Sequence, residues 1–220
     1  MTDSLAMQRQ QLLASLHRAG IYDVSVLRAM ASIPREEFVS EALREMAYID
    51  RALPLSLGQT ISQPLMVAVM TQALRLTGRE RVLEVGTGSG YQTAILGHLA
   101  ASVHTIERHA ELVDSVAERL ASLGISNVTL LVGDGSLGWP QAAPYDRILV
   151  TAGAPTIPDP LLHQLLPNGI LVIPVGRADL QELQVVQKGE DAIYVQALGQ
   201  CMFVPLVGEE GWHVDSERKL

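Results

Sequence analysis

Residues 81–96 read RVLEVGTGSGYQTAIL, and how this stretch is read decides the fold. An apolar run rich in valine meets glycines at alternate positions, Gly86, Gly88 and Gly90, and then a run of helix-forming residues. Glycine tolerates left-handed backbone and lets a main chain approach a ligand closely. The pattern is therefore a strand, a tight turn and a helix of the kind that binds a nucleotide cofactor. The spacing is G-x-G-x-G with Glu84 at the strand end, which differs from the G-x-G-x-x-G of dinucleotide-binding enzymes. Taken alone, the glycine trio equally fits a turn that binds nothing.

Downstream, short β-branched runs alternate with helical ones: SVHTIE, AELVDSVAERLASLG, VTLLVGD, YDRILVTA, PDPLLHQLLP and GILVIPVG. That alternation predicts βαβ units around a parallel sheet. LQELQVVQKG and IYVQALGQCMFVPLV follow with no helical run between them, as an antiparallel edge would.

Two strand-end acids change the reading of the turn. Glu107 closes SVHTIE, where a carboxylate can accept both hydroxyls of a ribose. Asp134 lies between Gly133 and Gly135, where it can approach a purine edge and accept from its amino group. Each alone fits a solvated charge or an Asx turn, but their joint placement after successive strands does not. A pyrophosphate at the helix N-terminus would be repelled by Glu84, whereas a cationic cofactor such as S-adenosylmethionine suits it.

Upstream, Leu5, Leu12, Leu13, Leu16 and Ile21 fall near helical spacing, and Val26, Leu27, Met30 and Ile33 repeat it before Pro34. IPREEFV predicts a further short helix with Pro34 at its first position and Glu36 and Glu37 favoured by the helix dipole. An irregular segment, AYIDRALPLSLGQTISQP, precedes an apolar helix, LMVAVMTQALRL, that Pro64 opens and Thr77 and Gly78 end.

Composition narrows the class. The chain has 220 residues, 48% of them hydrophobic, enough for one domain with a large core. A net charge of −8 argues against a surface that holds phosphate backbones, so nucleic acid is not expected as a partner. Cys201 is the sole cysteine, which excludes an internal disulfide and points to a reducing compartment. No signal-peptide pattern and no apolar run of about 20 residues occurs, so a cytoplasmic protein without membrane contact is expected. His17, His98, His104, His109, His163 and His213 show no metal-ligand spacing, and no metal is expected. Trp139 reads as a packing anchor and Cys201 as a buried, inert thiol.

IPREEFV, AYIDRALPLSLGQTISQP, VLEVGTGSGYQTAIL, HTIER, GDGSLGW, PYDRILVTA and FVPLV together resemble the protein-L-isoaspartate O-methyltransferase family of bacterial type, in this order and over most of the chain. The resemblance implies a Rossmann-like class I methyltransferase: an α/β, doubly wound, mostly parallel seven-stranded sheet with N-terminal helices and an antiparallel C-terminal edge. It implies a single domain over 1–220, with 1–79 as N-terminal helices and substrate loop, 80–175 as cofactor-binding core, and 176–220 as C-terminal strands and tail. The implied reaction moves a methyl group from S-adenosyl-L-methionine, leaving S-adenosyl-L-homocysteine, to the α-carboxylate of L-isoaspartyl residues in damaged proteins and peptides. The ester closes to a succinimide whose hydrolysis restores part of the normal aspartate.

In the family the serine matching Ser62 is the active-site residue, and the loop from Thr60 through Ile61 to Gln63 contacts the cofactor. The implied cofactor residues continue with Glu84, Gly86, Thr87, Gly88, Ser89, Gly90, Glu107, Arg108, Asp134 and Gly135. Met202 stands where many bacterial members are expected to carry arginine, and residues beyond Gly208 have no assigned role.

An acceptor carboxylate with an ordinary pKa of about 4 is ionised at neutral pH, so methyl transfer needs alignment more than a base. Ser62 has no histidine paired with it and no G-x-S-x-G around it, which removes covalent attack. Capping of the Pro64 helix and orientation of the acceptor both remain open for its hydroxyl. A carboxyl methyltransferase with another acceptor, or a binding module that has kept the fold, are the rival functions.

Overall fold

The computed structural model describes residues 2–213. Helices α1 (Thr2–Arg18) and α2 (Val24–Ser32) come first, and 3₁₀ turns at Arg35–Phe38 and Glu41–Met46 follow. A two-stranded ribbon, β1 (Leu53–Pro54) and β2 (Thr60–Ile61), leads into α3 (Pro64–Ala73). Then β3 (Arg81–Val85), α4 (Tyr91–Leu99), β4 (Ser102–Glu107), α5 (Ala110–Ser122), β5 (Val128–Val132) and β6 (Tyr145–Val150) alternate. The chain continues through α6 (Asp159–His163), β7 (Leu165–Arg177), β8 (Leu180–Lys188) and β9 (Ile193–Cys201).

The seven-stranded sheet has the order β5-β4-β3-β6-β7-β8-β9. Its first five strands are parallel, and β8 and β9 join as an antiparallel meander. The expected mostly parallel sheet with an antiparallel edge is therefore present. Chain direction across the sheet reverses at β3, between β4 and β6, and such a switch point opens a crevice at the carboxyl ends of the strands.

Central strands read as continuous apolar runs because both their faces are buried. In β6 the buried Ile148 and Val150 join one cluster with Leu83, Val85 and Ile173, while Leu149 joins another with Met70, Leu74 and Leu96. A third cluster ties α1 and α2 to α4 and α5 through Leu16, Met30, Phe38, Tyr91 and Val116. Trp139 packs against the first of these clusters, as an anchor should.

Three upstream and downstream expectations need correcting. The Pro64 helix stops at Ala73, because Arg75 turns left-handed (φ 52°), Arg147 Nε takes the Leu74 carbonyl at 2.6 Å, and Glu80 gathers the backbone N–H groups of Thr77, Gly78 and Arg79. PDPLLHQLLP is helical over Asp159–His163 alone, since Leu165 already pairs with Tyr145 in the sheet and Asn168 takes φ 63°. Pro34 caps a 3₁₀ turn rather than opening an α-helix. Glu36 there is buried and bonded to Arg9 Nη2 and the Tyr48 hydroxyl, so a side-chain network holds it more than a helix dipole does.

Candidate active site

A cleft of about 600 Å³ opens at the carboxyl ends of β3, β4 and β6. One wall is the glycine turn with Glu107, Arg108 and Gly135; the facing wall is Leu57–Gln63 with Met66 and Val67 of α3; Gln200–Val207 forms the third side.

The turn is built by sterics. Gly86 sits at φ +95°, and a Cβ there would lie 2.3 Å from Thr151 Oγ1, which itself donates to the Gly86 carbonyl at 2.6 Å. Gly88 (φ +52°) has nothing within 4 Å of an added Cβ, so its missing side chain leaves room on the cleft side. Thr87 and Ser89 line the cleft, with the Ser89 carbonyl fixed by Arg119 Nη1 at 2.9 Å.

Glu107 borders the cleft. It is 6% exposed, lines the cleft, and its two oxygens accept the Gly88 and His109 backbone N–H groups, each at 3.0 Å. A carboxylate has room for about four hydrogen bonds, so each oxygen retains an acceptor site for a ligand hydroxyl.

Three proposed cofactor residues stand outside the cleft. Glu84 is fully buried beneath the turn, where Thr93 and Thr105 hydroxyls both donate to its Oε2 at 2.5 and 2.6 Å. Burial pushes its carboxyl up to about 8, with Glu107 adding to the rise and the threonine hydrogen bonds opposing it. It is therefore mostly neutral at pH 7, and neither repulsion of a pyrophosphate nor attraction of a cation follows from it. Gly90 is the N-cap of α4 and packs on Val116, which a Cβ would approach to 2.6 Å. Asp134 accepts from Ser136 N and Oγ through Oδ1 and from Glu209 N through Oδ2, so the C-terminal segment shares the carboxylate expected for the purine. Residues 208–212 thus gain a place: Glu210 N and Trp212 Nε1 donate to Ser136 Oγ and the Gly153 carbonyl.

The raised pKa of Glu84 has a testable sign. A carboxyl whose pKa is raised on folding is bound to a proton that the unfolded chain has released, so its contribution is present below about 4.5 and lost as pH rises through about 8. In urea titrations, stability falls across that window by up to about 1.4 kcal/mol per pH unit from this group. Glu84→Gln removes that slope, and equal slopes in the two proteins would show that Glu84 does not titrate there.

On the facing wall, the question of what caps α3 is settled. Gln63 is the N-cap and makes no side-chain cap bond. Asp50, from upstream of the ribbon, accepts Leu65 N at 2.8 Å and Gln63 Nε2 at 3.0 Å. Ser62 lines the cleft and its hydroxyl makes no hydrogen bond among the described residues, so it caps nothing and is available to a ligand. Thr60, Ile61 and Gln63 line the same cleft.

Sequence reasoning missed Asp50, Thr151 and the cleft side formed by Gln200–Val207. Thr151 follows β6 as Glu107 ends β4, a strand-end position that could have marked it. Cys201 is buried in the cleft lining, and burial lifts its thiol to about 11, which keeps it protonated. No histidine or lysine lines the cleft among the described residues. Nor do three or more His, Cys, Asp or Glu side chains come together among them in a way that could hold a metal ion. No helix among them is long and apolar enough to cross a membrane.

Residues 7–211 match the family model of protein-L-isoaspartate(D-aspartate) O-methyltransferase. The chain is 54% identical to protein-L-isoaspartate O-methyltransferase 2 of Pelobacter propionicus over 88% of its own length and 87% of the relative's. It is 50% identical to the protein-L-isoaspartate O-methyltransferase of Dictyoglomus thermophilum over 93% of each. Among solved structures, a protein-L-isoaspartate O-methyltransferase superposes with TM-score 0.83 and 28% identity, covering 96% of this chain and 69% of the other. A Plasmodium falciparum β-aspartate methyltransferase, solved with S-adenosyl-L-homocysteine, gives 0.78 and 27% over 90% and 98%.

Proposed function

This chain belongs to the protein-L-isoaspartate(D-aspartate) O-methyltransferase family, and we propose that it methylates the free α-carboxylate of L-isoaspartyl residues in damaged proteins and peptides, using S-adenosylmethionine. The observation that carries this reading is one cleft lined by both the Thr60–Gln63 loop and the glycine turn with Glu107.

The residues present suit such a cofactor. The Gly86–Ser89 turn, with no side chain at Gly88, would admit its amino-acid end, Glu107 would accept from the ribose hydroxyls, and Arg108 and Gly135, which line the same cleft, would lie toward the base. The cofactor supplies a methyl group on a positively charged sulfur. The protein's own work is to bring an ionised carboxylate into line with that carbon, and orientation of this kind can contribute roughly 7–11 kcal/mol. No proton has to be removed from the acceptor. The absence of histidine and lysine from the described lining, together with a protonated Cys201, is consistent with that chemistry. Ser62 donates its hydroxyl to one acceptor oxygen and holds the other toward the methyl group.

Incubation with labelled S-adenosylmethionine and a deamidated protein tests the reading. Label should appear as a methyl ester that mild base releases as methanol. Base-labile label on a carboxylate other than isoaspartate would instead support a methyltransferase of different acceptor range, and no base-labile label would remove both.

A further inference from the structure

We propose that Asp50 is the positioning residue of the acceptor wall: it caps α3 from outside the loop, so that Ser62 keeps its hydroxyl for the substrate. The inference rests on the function proposed above. Serine is among the preferred caps, and Ser62 stands immediately before Gln63, the N-cap of α3, where its hydroxyl could compete for the helix's first free N–H groups. Here the Leu65 N–H is already taken by Asp50 Oδ1 at 2.8 Å, and Oδ2 takes Gln63 Nε2 at 3.0 Å. One carboxylate thereby clamps the residues on both sides of Pro64.

The chain just before Asp50 is anchored in the core. Asp50 follows Ala47 and Tyr48, both buried, and the Ala47 carbonyl accepts Arg35 Nε at 2.8 Å. Arg35 is fully buried, its guanidinium carbon lies 5.0 Å from the centre of the Tyr91 ring, and its Nη1 and Nη2 have no hydrogen-bond partner among the described residues. Its charge is attracted to Asp50.

The test compares full-length wild type, Asp50→Ala, Asp50→Asn and Asp23→Ala by methyl transfer to an isoaspartyl peptide and by calorimetric binding of S-adenosylhomocysteine. Asp23 caps α2 through Ser25 and Val26 N–H and lines no part of the cleft, so its variant reports the cost of losing a helix cap elsewhere. Asp50→Ala should lower kcat by about 10-fold or more, because small misplacements at a reacting centre carry large rate penalties, while cofactor affinity stays within about 3-fold. Asparagine retains an acceptor for the Leu65 N–H and should restore kcat to within about 3-fold of wild type. Asp23→Ala should keep kcat while lowering the melting temperature. The inference is overturned if Asp50→Ala keeps wild-type kcat, if Asp23→Ala lowers kcat equally, or if asparagine rescues nothing. Should alanine prevent folding, the asparagine comparison alone decides. Failure of the wild type to methylate the peptide would instead remove the functional reading beneath it.

Discussion

Glu107→Ala weakens binding of S-adenosylhomocysteine by about 100-fold. The carboxylate is nearly buried and already oriented by two backbone N–H groups, so it accepts ligand hydroxyls without losing further conformational freedom. Hydrogen bonds to a charged acceptor contribute roughly 1.5–3 kcal/mol each, and 1.4 kcal/mol is a factor of about ten. Part of the loss is returned by water entering the vacated space, which is why the expected figure lies below the sum. Glu107→Gln keeps one acceptor oxygen and falls between. Calorimetric titration of the three proteins measures this, and an alanine variant within about 3-fold of wild type would remove Glu107 from the cofactor site.

Ser62→Ala lowers kcat by about 10- to 100-fold and leaves S-adenosylhomocysteine affinity within about 2-fold. The range is that of one hydrogen bond to a carboxylate, realised on the acceptor and not on the donor. Because Asp50 caps α3, the variant should lose little stability, and a melting temperature close to wild type separates this effect from a fold defect. Steady-state kinetics with saturating isoaspartyl peptide, paired with calorimetry, give the split. If affinity and turnover fall together, the hydroxyl belongs to the cofactor wall instead.

Much of the sheet was legible in the sequence because buried parallel strands leave continuous β-branched runs and the glycine turn punctuates the first of them. Strand-end logic singled out Glu107, and the last residue of β4 does line the switch-point crevice. Glu84, by contrast, is buried and absent from the cleft lining. One position before the strand ends, its side chain points under the turn toward Thr93 and Thr105, and a shift of one residue in a strand reverses the face. Asp134 is absent from the lining for a different reason. Its environment is set by Gly208 and Glu209, which are distant in sequence and whose close approach no local pattern announces.

Ser62 illustrates what sequence could and could not resolve. Its position before Pro64 made capping the ordinary reading, and the rival role came from a resemblance. The decisive residue was Asp50, separated from Gln63 by 13 positions and brought back by the β1–β2 ribbon. A cap supplied across a ribbon leaves no periodic or spacing signature. The end of α3 was misread for a similar cause, because the Arg147 side chain that takes the Leu74 carbonyl comes from β6.

The most direct test of the account is methyl transfer to a matched pair of peptides, one with an L-isoaspartyl residue and one with aspartate at the same position. If the cleft aligns one carboxylate against the glycine turn as proposed, transfer to the isoaspartyl peptide is saturable, with kcat/KM at least about 100-fold above that for its twin. Equal transfer to both peptides, or transfer to neither, would contradict it.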